Sequence, residues 1–380
     1  MEDKFQVQGK ARLYDLWGDG MVFRNLKPPD NRLPSFDHLR QQLRLEGAPL
    51  PRKVEVNYAR VVVEILKQAR RLEIPSGRLK RLIYLGDTRL LDATAFQNLC
   101  QAGEWDGWAF IGQDKLSEPK AIQVEGKLFL ANRWSALNDF ARRLSEEGFG
   151  LDETTALVID MDKTAVGARG RNDKPIDEAR LEGVRRTVAD LLGNDFDEAT
   201  FREVYAHLNQ PQYHAFTADN QDYLAYICLM LGTPLYRFEA LLEDIHTGTL
   251  QSFFGFIQQI EARKFELPAK LRSIHAAVWE NVQMGDPTPF KAFRYNEYLT
   301  TAQRFTGDEE QPIPELLMQR IVITGEVMQF AQQLRRNGAL LFGLSDKPDE
   351  ASLPGEDQAR QGMQPLHRLG TLVISRSDDA

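Results

Sequence analysis

Residues Thr155–Thr164 read TALVIDMDKT, a short apolar run that ends in two aspartates and a threonine. Four successive apolar residues, Ala156, Leu157, Val158 and Ile159, suit a strand buried on both faces, the kind found in parallel sheets covered by helices. Asp160 and Asp162 then stand at the carboxyl end of that sheet, where open α/β folds bind their ligands. Two acids one residue apart, followed by Thr164, point to metal-assisted phosphoryl chemistry.

Outward from this strand the pattern alternates. Upstream, RLIYLGDTRLLDATAFQNLCQAG reads as a strand, an acidic turn and a helix, and GWAFIG as a second strand. The short hairpin AIQVEGKLFLA and the helix RWSALNDFARRLSEEG follow. Strand, helix, strand, helix, strand predicts right-handed crossovers and a parallel α/β sheet. Further back, Tyr58, Val61, Val62, Ile65 and Leu66 recur at helical spacing up to the stop at Ile74-Pro75-Ser76-Gly77. Residues 1–50 are less regular. There Gly18-Asp19-Gly20 and a Pro-rich stretch predict a hairpin or loop.

Downstream of Thr164 a polar loop opens a long helical stretch punctuated by Gly and Pro, including EARLEGVRRTVADLLG, QDYLAYICLMLG and KLRSIHAAVWENVQMG. The α/β pattern resumes with the helix VMQFAQQLRRNG, the strand ALLFGLS and a final strand TLVIS. The expected division is therefore 1–166 as the first part of an α/β core, 167–320 as a helical insertion, and 321–380 as the remainder of the core.

Composition narrows the class. The chain has 380 residues, 42% hydrophobic and 27% charged, which suits a globular protein with more than one structural unit. A net charge of −8 offers no global footprint for nucleic acid. The two cysteines, Cys100 and Cys228, lie in apolar helical patterns and give neither a disulfide framework nor a zinc spacing. Histidines 207, 214, 246, 275 and 367 show no metal-ligand spacing either. With no apolar signal run and no membrane-length stretch, a cytoplasmic location without membrane contact is expected.

The strand with its Asp160-Met161-Asp162-Lys163-Thr164 end resembles the first motif, DxDx(T/V), of the haloacid dehalogenase-like superfamily of phosphatases. The resemblance implies a Rossmann-like core in which Asp160 is a nucleophile that becomes phosphorylated and Asp162 an acid/base. Ser345, closing the run Leu340–Leu344, is similar to the second-motif residue that contacts a phosphoryl oxygen. Gly86-Asp87 with Asp92 five residues on resembles the fourth, acidic motif. That motif stands here before the first instead of after the second, so the resemblance implies a circularly permuted order. Lys53 and Lys347 compete for the third-motif lysine.

By this resemblance Mg²⁺ is the cofactor, with Asp160, Asp162, Asp87 and Asp92 as its ligand set. The inserted helices resemble the cap that selects substrate in many members. Thr164, Arg169 and Arg171 are candidate substrate contacts, the arginines together with Lys174 being placed to meet an anionic group. Tyr213, His214, Asn220 and Asp222 form a polar, aromatic cluster within the helices, where most such residues are capping or surface groups. The expected activity is cleavage of a small phosphorylated metabolite through an aspartyl-phosphate. Two alternatives remain open at this point: a catalytically idle module that binds a ligand or a protein, and a nucleic-acid end phosphatase.

Overall fold

The computed structural model describes residues 5–305 and 311–376; residues 1–4, 306–310 and 377–380, which the expected segments 1–166, 167–320 and 321–380 include, lie outside the described residues. The strands in chain order are β1 (Phe5–Ala11), β2 (Met21–Val22), β3 (Arg81–Gly86), β4 (Asp106–Gly112), β5 (Ile122–Glu125), β6 (Leu128–Ala131), β7 (Thr155–Asp160), β8 (Ile323–Thr324), β9 (Leu340–Leu344) and β10 (Thr371–Arg376). The chain divides into an α/β unit, Met1–Glu178 with Thr301–Leu353 and Gln358–Ala380, and a helical unit, Ala179–Thr300 with Pro354–Asp357. The main segment of the helical unit, Ala179–Thr300, lies inside the expected 167–320 limits, while Pro354–Asp357 comes from the stretch expected to belong to the core.

The main sheet of the α/β unit has the order β2-β9-β7-β3-β4-β6-β5 and is parallel except for β5, the outer strand of the β5–β6 hairpin. Every residue of β7 is buried, as its unbroken apolar run requires of a strand with helices on both sides. On one face Leu82, Tyr84, Ala156, Val158, Leu340 and Phe342 pack under the helices Val56–Glu73 and Arg89–Gly103. These helices contribute Tyr58, Val62, Ile65 and Leu66, and Ala95, Phe96 and Leu99. On the other face Trp108 and Phe110 of β4 meet Phe140 of the helix Leu137–Glu146, whose ring also touches Phe330 of the helix Gly325–Arg336. The period of two along each strand sorts the side chains between these faces.

Register fixes what lies together at the carboxyl end. Ile159 pairs with Leu85 of β3, and Asp160 with Leu344 of β9. The chain therefore leaves β3 at Asp87, β7 after Asp160 and β9 at Ser345 on neighbouring strands.

Two expectations change. TLVIS is a strand, but β10 belongs to a separate three-stranded sheet, where it pairs antiparallel with β1 and parallel with β8. Of the hairpin or loop expected in residues 1–50, the described residues 5–50 show the loop, in the Pro-rich stretch, and no hairpin: β1 joins that small sheet, while β2 becomes the edge of the main one. An apolar run reports burial, and sheet membership is decided by partners far away in sequence.

The helical unit encloses its own apolar core, built from residues such as Phe201, Val204, Leu224, Tyr226, Phe253, Phe256, Ile257 and Phe290. Its polar residues largely serve that core. Asp222 is wholly buried, accepts the Phe290 N–H at 3.1 Å and is paired with Arg294. Asn220 caps the helix Gln221–Leu231, and the Tyr213 hydroxyl meets His207 at 2.6 Å. His214 is 3.6 Å from Asp219. Cys228 is buried here and Cys100 half-buried in the α/β unit. Among the described residues no helix is long and apolar enough to cross a membrane.

Candidate metal and phosphoryl site

Three segments converge at the carboxyl end of the main sheet. Asp160 ends β7, Asp87 follows β3, and Asp92 sits in the first turn of the Arg89–Gly103 helix. One carboxylate oxygen from each lies within 4.8 Å of the others, a cluster of three acids that could hold a metal ion. Gly86 makes the fold-back of Asp92 possible, because a Cβ there would stand 2.5 Å from the Asp92 carboxyl carbon.

Lys53 reaches this cluster from a turn just before the Val56–Glu73 helix. Its ammonium donates to Asp160 at 2.5 Å and to Asp92 at 2.7 Å, with all three side chains buried. The turn is steadied by Asn98, which donates to the Val54 carbonyl at 2.9 Å.

The three acids are not equivalent. Asp92 Oδ1 accepts from Lys53 and from the Tyr84 hydroxyl at 3.0 Å, and its Oδ2 from the backbone N–H groups of Asp87 and Thr88 at 3.1 and 2.8 Å. Both of its oxygens are taken. Asp87 Oδ1 accepts from the Thr88 hydroxyl at 3.2 Å, and its Oδ2 takes the Arg169 Nε–H. Asp160 gives Oδ1 to Lys53, and its Oδ2 has no hydrogen-bond partner among the described residues.

Burial pushes the Asp160 carboxyl well above the usual carboxylate range; Lys53 opposes this, and Asp92 and Asp87 add to it. Asp87 is raised by burial and by Asp92, against Arg169. Burial would raise Asp92 too, but the charge and hydrogen bond of Lys53 hold it below the usual range. Burial would lower Lys53, yet Asp160 and its neighbours keep the ammonium charged. The pocket holds more negative charge than its lysine balances, a condition a cation relieves.

Asp162 lies outside the three-acid cluster. Its Oδ2 accepts from the Ser345 hydroxyl at 2.9 Å, and that hydroxyl in turn accepts the Lys347 backbone N–H at 3.1 Å. Lys53 is therefore the lysine at the acids, while the Lys347 ammonium donates to Thr301 at 3.1 Å.

Two expected substrate contacts sit elsewhere. The Thr164 side chain is fully buried and its hydroxyl finds no hydrogen-bond partner among the described residues, because the turn after Asp162 folds into the interior. Arg171 is only 1% exposed and is held by Asp114 at 2.7 Å and Glu326 at 2.8 Å, so its guanidinium is closed to a ligand. Arg169 is at the site, on Asp87. Sequence reasoning missed Tyr84 and Thr88: Tyr84 reads as an ordinary core strand residue, whereas the helix-start position of Thr88 was a usable signal.

No family model, no curated protein and no solved structure matches this chain.

Proposed function

We propose that the α/β unit is a Mg²⁺-dependent phosphohydrolase acting on a small phosphorylated metabolite through an aspartyl-phosphate at Asp160. The observation that carries this reading is the meeting of Asp160, Asp87 and Lys53 from three distant segments, with one Asp160 oxygen left open. The order of the parts, lysine and Gly86-Asp87 before the DxDxT strand and Ser345 after it, reads as a circularly permuted haloacid dehalogenase-like core.

An all-oxygen donor set suits Mg²⁺. Asp87 and Asp160 would hold the ion, while Asp92, with both oxygens engaged, fixes Lys53 and the Asp87 loop. When bound, Mg²⁺ supplies charge neutralisation between an anionic ester and a carboxylate nucleophile. A carboxylate oxygen of Asp160 attacks phosphorus, the ester P–O bond breaks, and the leaving oxygen takes a proton from Asp162. Asp162, now a carboxylate, takes a proton from the water that attacks the phosphoryl group. The P–O bond to Asp160 breaks and inorganic phosphate leaves. Ser345 orients Asp162 for both transfers through its hydroxyl.

The test is hydrolysis of an aryl phosphate with and without Mg²⁺ by the parent, Asp160→Asn and Asp87→Asn, each checked for folding by circular dichroism. Activity that needs Mg²⁺ and disappears in both folded variants supports the reading. Survival of activity in Asp87→Asn contradicts a shared site, and a folded parent that is silent across a panel of phosphate esters contradicts the activity.

A further inference from the structure

Arg169 occupies a position that a bound cation would contest. Its Nε–H rests on Asp87 Oδ2, and its Nη2 lies 3.4 Å from the Thr88 hydroxyl. Since Asp92 has both oxygens engaged and Lys53 holds one oxygen of Asp160, a cation between Asp160 and Asp87 must draw on the carboxylate that Arg169 neutralises.

Around this contact the backbone is held by hydrogen bonds and the side chain is partly exposed. The Arg169 N–H donates to the Lys163 carbonyl at 2.9 Å, and the Arg169 carbonyl accepts from Asp114 N–H at 2.8 Å and from the Trp134 indole at 3.3 Å. Gly170 follows with φ +79°, and a Cβ there would lie 2.0 Å from the Asp114 carbonyl oxygen, so only glycine lets the loop seat so closely. From this anchored point the Arg169 side chain remains 35% exposed, against 6% for Asp87. Arg171, two residues on, is sealed at 1%.

We infer that Arg169 is an exchangeable counter-ion: it neutralises Asp87 when no cation is bound, is displaced when a divalent cation takes that carboxylate, and then serves as a ligand for the substrate's phosphoryl oxygens. The inference rests on the cation site of the proposed phosphohydrolase. Charge supports the exchange. Three carboxylates against Lys53 and Arg169 leave one net negative charge, and adding a divalent ion would leave one net positive charge with Arg169 still in place. That excess drives the half-exposed guanidinium off Asp87, and a planar, permanently charged fork is suited to receive a phosphoryl group. Competition for one carboxylate makes the cation and Arg169 mutually antagonistic, while a shared anion makes them cooperative.

The experiment is Mn²⁺ binding to the full chain, read as free-ion electron paramagnetic resonance, followed by inorganic phosphate titration of the Mn²⁺-loaded protein. It compares the parent, Arg169→Ala and Arg169→Lys. Arg169→Ala is expected to bind Mn²⁺ about tenfold more tightly and inorganic phosphate about tenfold more weakly, with Arg169→Lys between on both scales. A merely structural ion pair would move neither in this opposed way. Equal or weaker Mn²⁺ binding by folded Arg169→Ala, beside a parent that binds, overturns the exchange and leaves the phosphohydrolase reading standing. Unchanged phosphate affinity overturns the ligand role. A parent and variants that all bind no Mn²⁺ overturn both the exchange and the cation site beneath it.

Discussion

Two buried ionic clusters in the α/β unit use the same residue types to opposite ends. Around Arg171 every group is answered. Its Nε–H goes to Asp114, its Nη groups to Glu326 and the Ile374 carbonyl, while Asp114 also takes the Trp134 N–H and Glu326 the Arg376 N–H. This network ties the loop after β4 and the Gly325–Arg336 helix to β10 of the small sheet. Around Lys53, three carboxylates share one buried lysine and the half-exposed Arg169, and Asp160 keeps an oxygen open. A closed network holds elements together. An under-neutralised one at the end of a sheet has capacity left for a cation and an incoming anion.

The largest effect separating the two clusters is expected from Asp160→Asn, which should lower phosphate-ester turnover by about 10⁴-fold or more while the melting temperature holds or rises. Losing the fold together with the activity would make the Lys53 cluster structural, like that of Arg171. Arg171→Ala should behave the other way round. It strands Asp114 and Glu326 as buried charges and should cost about 3–5 kcal/mol in urea unfolding, with turnover of the folded fraction within a few-fold of the parent. Little loss of stability would break the contrast from that side.

Asp162→Asn should lower turnover by about 10²–10³-fold, and by more for an alkyl than for an aryl phosphate, since the poorer leaving group needs the proton more. Equal losses for both esters would remove Asp162 as the acid.

An effect on pH dependence alone concerns a buried acid with no ion-pair partner among the described residues. Asp349 accepts the Asn25 N–H at 3.0 Å, and burial pushes its carboxyl up to about 7 from the ordinary 3.8. The folded state therefore holds this proton more tightly than the unfolded chain. The associated stability is full below pH 3.8 and is lost as pH rises through about 7. Asp349→Asn should flatten that fall, gaining about 4 kcal/mol over the parent at pH 8 relative to pH 4. A parallel pH profile for parent and variant would contradict it.

What the sequence discloses, and what it hides, follows from the range of the interaction involved. β3, β7 and β9 were legible because a strand buried on both faces must be apolar throughout, and the acids that end such strands stand out against them. The choice between Lys53 and Lys347 was not legible. It depends on a turn 107 residues before Asp160 being carried to it by a helix packed on the sheet. Arg171 misled because a polar, glycine-containing loop reads as solvated, and its partners Asp114 and Glu326 are remote in sequence. Thr164 misled for a local reason: a residue after two acids reads as facing the ligand, whereas the turn carries it inward. The β10 strand was visible, but its partner strands β1 and β8 could not be inferred from one short run.

The most direct measurement of the central claim, that the under-neutralised cluster is a reactive centre with Asp160 as nucleophile, is acid-quenched peptide mass spectrometry of the protein mixed with a phosphate ester and Mg²⁺. The account predicts a phosphoryl group on the peptide that contains residues 155–164, dependent on Mg²⁺ and absent in Asp160→Asn. Steady ester turnover with no phosphoryl group on that peptide, or the same adduct in Asp160→Asn, would contradict it.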